Sequence, residues 1–429
     1  MKKLFYTIFS IFIFSELNGE ESLKFYLNKA IKNNLQLNAE RKNLESVKQD
    51  KNISRSEFLP SITLSGDQTS TTSTNITNQS GSILSDTNLD TESKSISLEQ
   101  KIFAGFKGVN TFKKSELETE KAKLELKEVR LQTIRDAAFA FYDLIYKSNN
   151  EKFNISNVKL FERQVEFDSA RLQKGEITLV DLAQSESSLA GANADLIKAK
   201  TDFLSSQRNF ERVIGEKSPK VENLDERLSL ELPGSLKSSQ ELANLNNISL
   251  LISKLNYQIS IKDLNIERAR LSPSASIKFS KSETKDFSST IDEKDEETVE
   301  ASISWPIIKG GENISSIKKF SYKKQQAKLI LQDTENEITS KSSNFWSNYV
   351  SSKSVLEATR AQLKAAEIAN EGITLEYDSG NTRTTLEVIQ SRSLLLDARI
   401  AFAKAKRDFM VSQFELAKHI GILSLKTIK

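Results

Sequence analysis

The chain says the same thing twice. Lys198 to Phe203 reads KAKTDF and Lys404 to Phe409 reads KAKRDF, 206 positions later, and Ile214-Gly215 returns as Ile420-Gly421 at the same offset. A duplication on this scale makes half of the chain one structural unit, and two such units pack about a common axis or surface. Both halves run in one order: a helical stretch, a Pro-marked start of two strand-like segments, a Gly-marked end, and a long helical run interrupted once by Gly. Asn33-Asn34-Leu35 leads to Phe58-Leu59-Pro60 in the first half, and Asn246-Asn247-Ile248 leads to Leu271-Ser272-Pro273 in the second, an offset of 213. The strand region is thus about eight residues longer in the first copy, and insertions of that kind map to surface loops. The expected division is a signal peptide over 1–20, a first repeat over 21–215, a linker over 216–235 and a second repeat over 236–429, with strands about 60–104 and 273–308.

Lys2-Lys3, the apolar run Leu4 to Phe14 and the small or polar Ser15, Asn18 and Gly19 have the layout of a secretory signal. Its apolar stretch is too short to span a bilayer comfortably. The chain has no cysteine, so it has no disulfide framework, no thiolate metal site and no thiol for a lipid. A net charge of +3, with both signs interspersed along helical stretches, gives nucleic-acid binding no support. With 14 Gly and 5 Pro the chain has room for very long helices. No later apolar run reaches the roughly 20 residues of a transmembrane helix, so any membrane crossing has to be made by β-strands.

Between Pro60 and Gly105 the composition turns to Ser, Thr and Asn with alternating apolar residues: Ile62 and Leu64 going in, Ile96, Leu98 and Ile102 coming out. The second copy has Ile277 and Phe279, then Val299, Ala301, Ile303, Trp305 and Ile307. Alternation of this period puts every second side chain on one face, one oily and the other wet. The polar stretches Asp67 to Thr91 and Ser282 to Glu297 suit exposed hairpin tips. Strands of roughly ten residues can cross hydrocarbon when tilted. A soluble four-stranded sheet over a core accounts for the same pattern, and Trp305 fits an interfacial girdle or ordinary packing.

Helical patterns cover Phe106 to Tyr146, on the order of 60 Å at ~1.5 Å per residue, then Asn154 to Gln173 and Leu179 to Ile214. The last carries a heptad of Leu182, Leu189, Leu196, Phe203 and Phe210, matched by Val388, Leu395, Phe402, Phe409 and Leu416. Three residues after each sits a mostly small side chain: Ser185, Ala192, Ala199 and Ser206, then Ser391, Ala398, Ala405 and Ser412. This defines a coiled-coil seam with close backbone approach. The lone His419 falls at the next position of that series and reads as a packing or interface residue.

Four strands per chain leave two sheet edges whose N–H and C=O groups cannot stay unpaired in lipid. Membrane barrels need about eight strands or more to close. If these strands lie in a membrane, several copies must share one barrel.

The order of these motifs resembles the TolC-type outer membrane efflux proteins. The likeness rests on the Asn-Asn-Leu start, Phe58-Leu59-Pro60-Ser61, Ile102-Phe103-Ala104-Gly105, Trp305-Pro306-Ile307-Ile308-Lys309-Gly310-Gly311, and Tyr377-Asp378-Ser379-Gly380 followed by Thr382-Arg383-Thr384. It implies a mostly α fold with a β-barrel part: long helices forming a periplasmic α-barrel, and four strands per chain contributing to a shared twelve-stranded outer-membrane β-barrel. It implies a homotrimer in outer-membrane lipid, serving as the exit duct of a tripartite efflux pump or type I secretion system. The implied partners are a periplasmic adaptor and an inner-membrane transporter, and no cofactor is implied.

The resemblance also implies a gate at the periplasmic end, where second-copy helices coil inward and are held by polar links to the first copy. Carried over by motif, Asp181 faces Tyr377 and Arg383, and the pore constriction falls on Glu387 and Gln390. Gln390 departs from the usual acid, and one extra residue stands between Gly380 and Arg383. Copies of Glu387 around a narrow axis would concentrate cations. A solvated helix face is the plain alternative for Asp181, Arg383 and Glu387.

Two other functions fit the sequence less well. A periplasmic coiled-coil adaptor or binding protein without a membrane barrel needs a Gly-rich β-domain between its helices, which is not found. An enzyme is poorly supplied, with a single His, no Cys, no phosphate loop and no nucleophile elbow.

Overall fold

The computed structural model describes residues 21–83, 85–225, 230–288, 290–379, 383–426 and 428; the expected signal peptide lies outside them. A two-residue strand, β1 (Glu21–Ser22), precedes the first series: α1 (Leu23–Asn33), α2 (Leu35–Arg55), β2 (Ser61–Ser73), β3 (Thr87–Ala104), α3 (Lys107–Gln173) and α4 (Leu179–Ile214). After β4 (Leu224–Asp225) the series recurs as α5 (Leu236–Asn246), α6 (Ile248–Ala269), β5 (Ser274–Ser288), β6 (Ile291–Ser304), α7 (Glu312–Asp378) and α8 (Thr385–His419). The fold is mostly helical with one four-stranded antiparallel sheet, ordered β2-β3-β5-β6. The parallel pair β1–β4 is an element that the sequence reading lacked.

Two boundaries differ from expectation. α3 runs unbroken through Tyr146 to Asn154, where two patterns were expected, because Lys147-Ser148-Asn149-Asn150 interrupts the apolar stripe without supplying a Gly or Pro to stop a helix. The stretches expected as hairpin tips are largely strand: Asp67 pairs with Ser93, Thr71 with Leu89 and Lys285 with Glu293. Those segments are polar on both faces, so alternation disappears from the sequence while backbone pairing continues.

The chain divides into two compact units. One holds α2, α5, α6, the sheet and the first parts of α3 and α7. Here Gly105 takes φ +60 between β3 and α3, and a Cβ on it would lie 2.5 Å from Ser272 Cβ and 2.6 Å from the Ala269 carbonyl oxygen. Only glycine combines that backbone with that approach. Trp305 is largely exposed and its indole N–H donates to the Leu271 carbonyl at 3.0 Å.

The ladder fixes the two faces of the sheet, because directly opposed residues point the same way. One face carries the rows Ile277–Ala301, Ile62–Leu98–Phe279–Val299 and Ala275–Ile303, joined by Leu64 and Ile96. Further along the same face charges take over: Lys281 pairs with Glu297 at 2.8 Å, Lys94 stands opposite Glu283, and Lys285 stands opposite Glu293. The oily face therefore extends over only part of each strand. β2 and β6 are the two edges, and the second is rich in acids: Asp292, Glu293, Asp295, Glu296, Glu297 and Glu300.

The other unit holds α1, α4, α8, the later parts of α3 and α7, and the β1–β4 pair. Its centre is Tyr26, Phe141, Phe210 and Phe414, all buried, with the Tyr26 ring 5.2 Å from that of Phe210. Along α4 and α8 the small series is buried, Ser185, Ala192, Ala199 and Ser206, then Ser391, Ala398, Ala405 and Ser412, and with it Phe210, Val388, Leu395 and Leu416 of the apolar series. Leu182, Leu189, Leu196 and Phe203 are only half-buried. His419 is buried with its ring 4.7 Å from that of Phe345.

Candidate functional site

The α3–α4 return and the α7–α8 return start their second helices with the same device. Thr178 donates its backbone N–H (2.9 Å) and hydroxyl (2.7 Å) to Asp181, and the Asp181 N–H donates back at 3.3 Å. Thr384 donates likewise to Glu387 at 2.7 and 3.1 Å, and the Glu387 N–H returns a bond at 3.3 Å. Each is a capping box that satisfies otherwise orphaned helix-start groups. The Thr178 side chain holds the Asp181 carboxyl below its usual range, and for Glu387 the Thr384 N–H does so first, with Arg383 adding.

Arg383 closes the second return, donating to Glu376 at 2.6 Å and to Glu387 at 3.0 Å. Gln390 is exposed on the wall of an open groove of about 440 Å³, with Glu387 and Leu394 on its α8 side and Ala366 and Ala369 on its α7 side. Glu387 and Gln390 thus share one groove.

Tyr377 is engaged elsewhere. It is buried, and its hydroxyl donates to Asp168 at 2.9 Å while lying 3.0 Å from the Thr385 hydroxyl and 3.3 Å from the Gln164 amide nitrogen. Asp168 is fully buried and receives two further bonds, from Gln164 at 2.9 Å and from the Ser185 hydroxyl at 2.5 Å. Arg392 donates to the Gln164 oxygen at 2.9 Å, and the Arg171 guanidinium stands 5.2 Å from the Tyr377 ring centroid. Burial, with the Asp168 carboxylate adding, pushes the Tyr377 phenol above its ordinary value, although Thr385 and Arg171 pull the other way.

One carboxylate thereby gathers α3, α4 and α7, and Thr385 and Arg392 bring in α8. A buried carboxylate is stable only when donors replace its lost water, and here three do. Among the described residues, Asp181 makes no hydrogen bond to Tyr377 or Arg383 within the chain; the acid on Tyr377 is Asp168. Asp168, Gln164, Thr385 and Arg392 were missed by the sequence reading. The available signal was spacing, since Gln164, Asp168 and Arg171 stand at i, i+4 and i+7 on one helix face.

A sheet with an oily face and two open edges, joined in one duplicated chain to long helices with small-residue seams, defines a membrane channel with a helical extension. The chain belongs to the outer membrane efflux protein family, which matches residues 26–216 and 240–422. It is 24% identical over 406 residues to the outer membrane efflux protein BepC of Brucella suis, spanning 94% of this chain and 85% of BepC. It is 21% identical over 444 residues to the outer membrane protein TolC of Escherichia coli K12, spanning 99% and 87%. Its fold superposes on the Campylobacter jejuni CmeC outer membrane channel with a TM-score of 0.81 at 16% identity, over 93% of this chain and 85% of that one. The family places the protein in the outer membrane with its helical part in the periplasm, and its members are channels rather than enzymes.

Proposed function

We propose that the protein is the exit duct of a tripartite efflux pump or type I secretion system, a passive conduit gated at its periplasmic end. Three copies contribute four strands each to one twelve-stranded barrel, and their helices continue it as a tunnel. A periplasmic adaptor and an inner-membrane transporter complete the machine, and the transporter supplies the energy. The repeats at 21–215 and 236–429, joined by a linker at 216–235, are the two staves that each copy adds to the wall.

The observation that carries the gate is the Asp168–Tyr377 bond, which ties a first-copy helix to a second-copy helix through a buried charge. A hydrogen bond to a charged group contributes about 1.5–3 kcal/mol, enough to hold a closed state that a docking partner can overcome. Arg383 reinforces the return with two exposed ion pairs, each worth little in water. Glu387 and Gln390 form the constriction. Asp181 caps α4 within its own chain, and its link to Arg383 runs to the neighbouring copy.

The test is purification in detergent followed by planar-bilayer recording. A trimer that opens discrete channels is the expected result. A monodisperse monomer in plain buffer with no channel activity overturns the duct.

A further inference from the structure

The face of the sheet opposite the oily rows is rich in hydroxyls, with charged residues set among them. The ladder aligns Thr63, Ser97, Ser280 and Thr298 in one row, and Ser276 with Ser302 and Ser274 with Ser304 nearer the helices. On the two central strands this face is the more sheltered one: on β3 Ser93, Ser95 and Ser97 are half-buried while Lys94, Ile96 and Leu98 are exposed, and on β5 Ser280 and Ser282 are half-buried while Phe279 and Lys281 are exposed. Closing the barrel turns that wall inward. Hydroxyls both donate to and accept from water and carry no net charge, so they keep solute hydrated without sorting it by sign.

One row departs from this. Ser61, Glu99, Lys278 and Glu300 lie side by side across all four strands, with the three charged residues exposed. The other charges on this wall near it have ionic partners: Lys101, one row toward the helices, lies 3.6 Å from Glu57, which Lys107 also approaches at 4.0 Å, and Glu296, two rows outward, lies 2.8 Å from Lys294. Asp67 stands a row further out, across the ladder from Ser93. In the Glu99–Lys278–Glu300 row two carboxylates flank one ammonium, which leaves one negative charge per copy at a single height of the wall.

We propose that this row is the charge-selective belt of the channel, favouring cationic solutes such as organic ammonium compounds over anions, while the hydroxyl rows pass either. It rests on the reading that copies close a barrel, and it is separate from the Glu387 constriction. Fixed charge inside a narrow, low-dielectric wall acts on permeating ions far more strongly than the same charge on an open surface.

Reversal potentials in a KCl gradient test it, comparing the wild type with Glu99→Gln/Glu300→Gln and, separately, with Lys278→Gln. Glu387 is present in all three, so the difference reports the belt. The cation-to-anion permeability ratio should fall at least about two-fold in the double variant and rise in Lys278→Gln. Channels of normal conductance with an unchanged ratio in both variants overturn the belt and leave the duct standing. Absence of channels from the wild type overturns both.

Discussion

Asp168 is the residue on which the proposed latch turns, and it is also the one the sequence left least visible. Asp181 was singled out by the family resemblance alone, and the Thr178-x-x-Asp181 spacing commits its carboxylate to capping α4. Asp168 lies near the C-terminal end of α3 among other charged residues, and only its spacing from Gln164 and Arg171 marks it as the acid that ends up fully buried. Replacing it by Asn removes the charge that Tyr377 and Ser185 bond to. Asp168→Asn and Tyr377→Phe should each raise open probability in bilayer recordings by roughly ten-fold or more, the equivalent of about 1.5–3 kcal/mol; no change in either would reject the latch. The phenol also predicts a pH response. Its pKa is raised in the folded protein, so the bond's contribution is intact below the unfolded value of about 10 and is lost as pH rises through the higher folded value. Conductance carried by this latch should therefore hold constant from neutrality to about pH 10 and climb above it.

Among the elements, the seam was read most fully from sequence and the strands least. The small series in α4 and α8 stood out because it recurs every seven residues in both copies, and those side chains are buried. Strand length was hidden because Ser, Thr and paired charges on both faces erase the alternation on which such reading depends. Two substitutions probe these elements. Ala398→Leu, at a position 1% exposed, overpacks the seam and should cost about 1–3 kcal/mol, read as a lower melting temperature in detergent. Gly105→Ala forces a Cβ against Ser272 and the Ala269 carbonyl at φ +60, so it should sharply reduce the amount of folded, membrane-inserted protein.

On the scale of the whole molecule, the twice-repeated order of motifs pointed to the family, and the shortage of strands pointed to closure by several copies. What sequence could not supply was the depth of the oily band, since the register that places Lys281 beside Glu297 is a property of pairing rather than of either strand alone. The chain has no native cysteine, so single pairs introduced along β2 and β6 report contacts between copies without background. Oxidation should give a ladder that stops at three chains; a product limited to two would reject the shared barrel.

The two rims of the sheet are unlike: β2 carries the single acid Asp67, whereas β6 bristles with them. Two β6 rims brought together would set acid against acid, while β6 beside β2 would not. Copies joining in the proposed barrel are thus steered to pair head to tail in one rotational sense, and where the rotation between neighbours closes, the arc meets its own beginning.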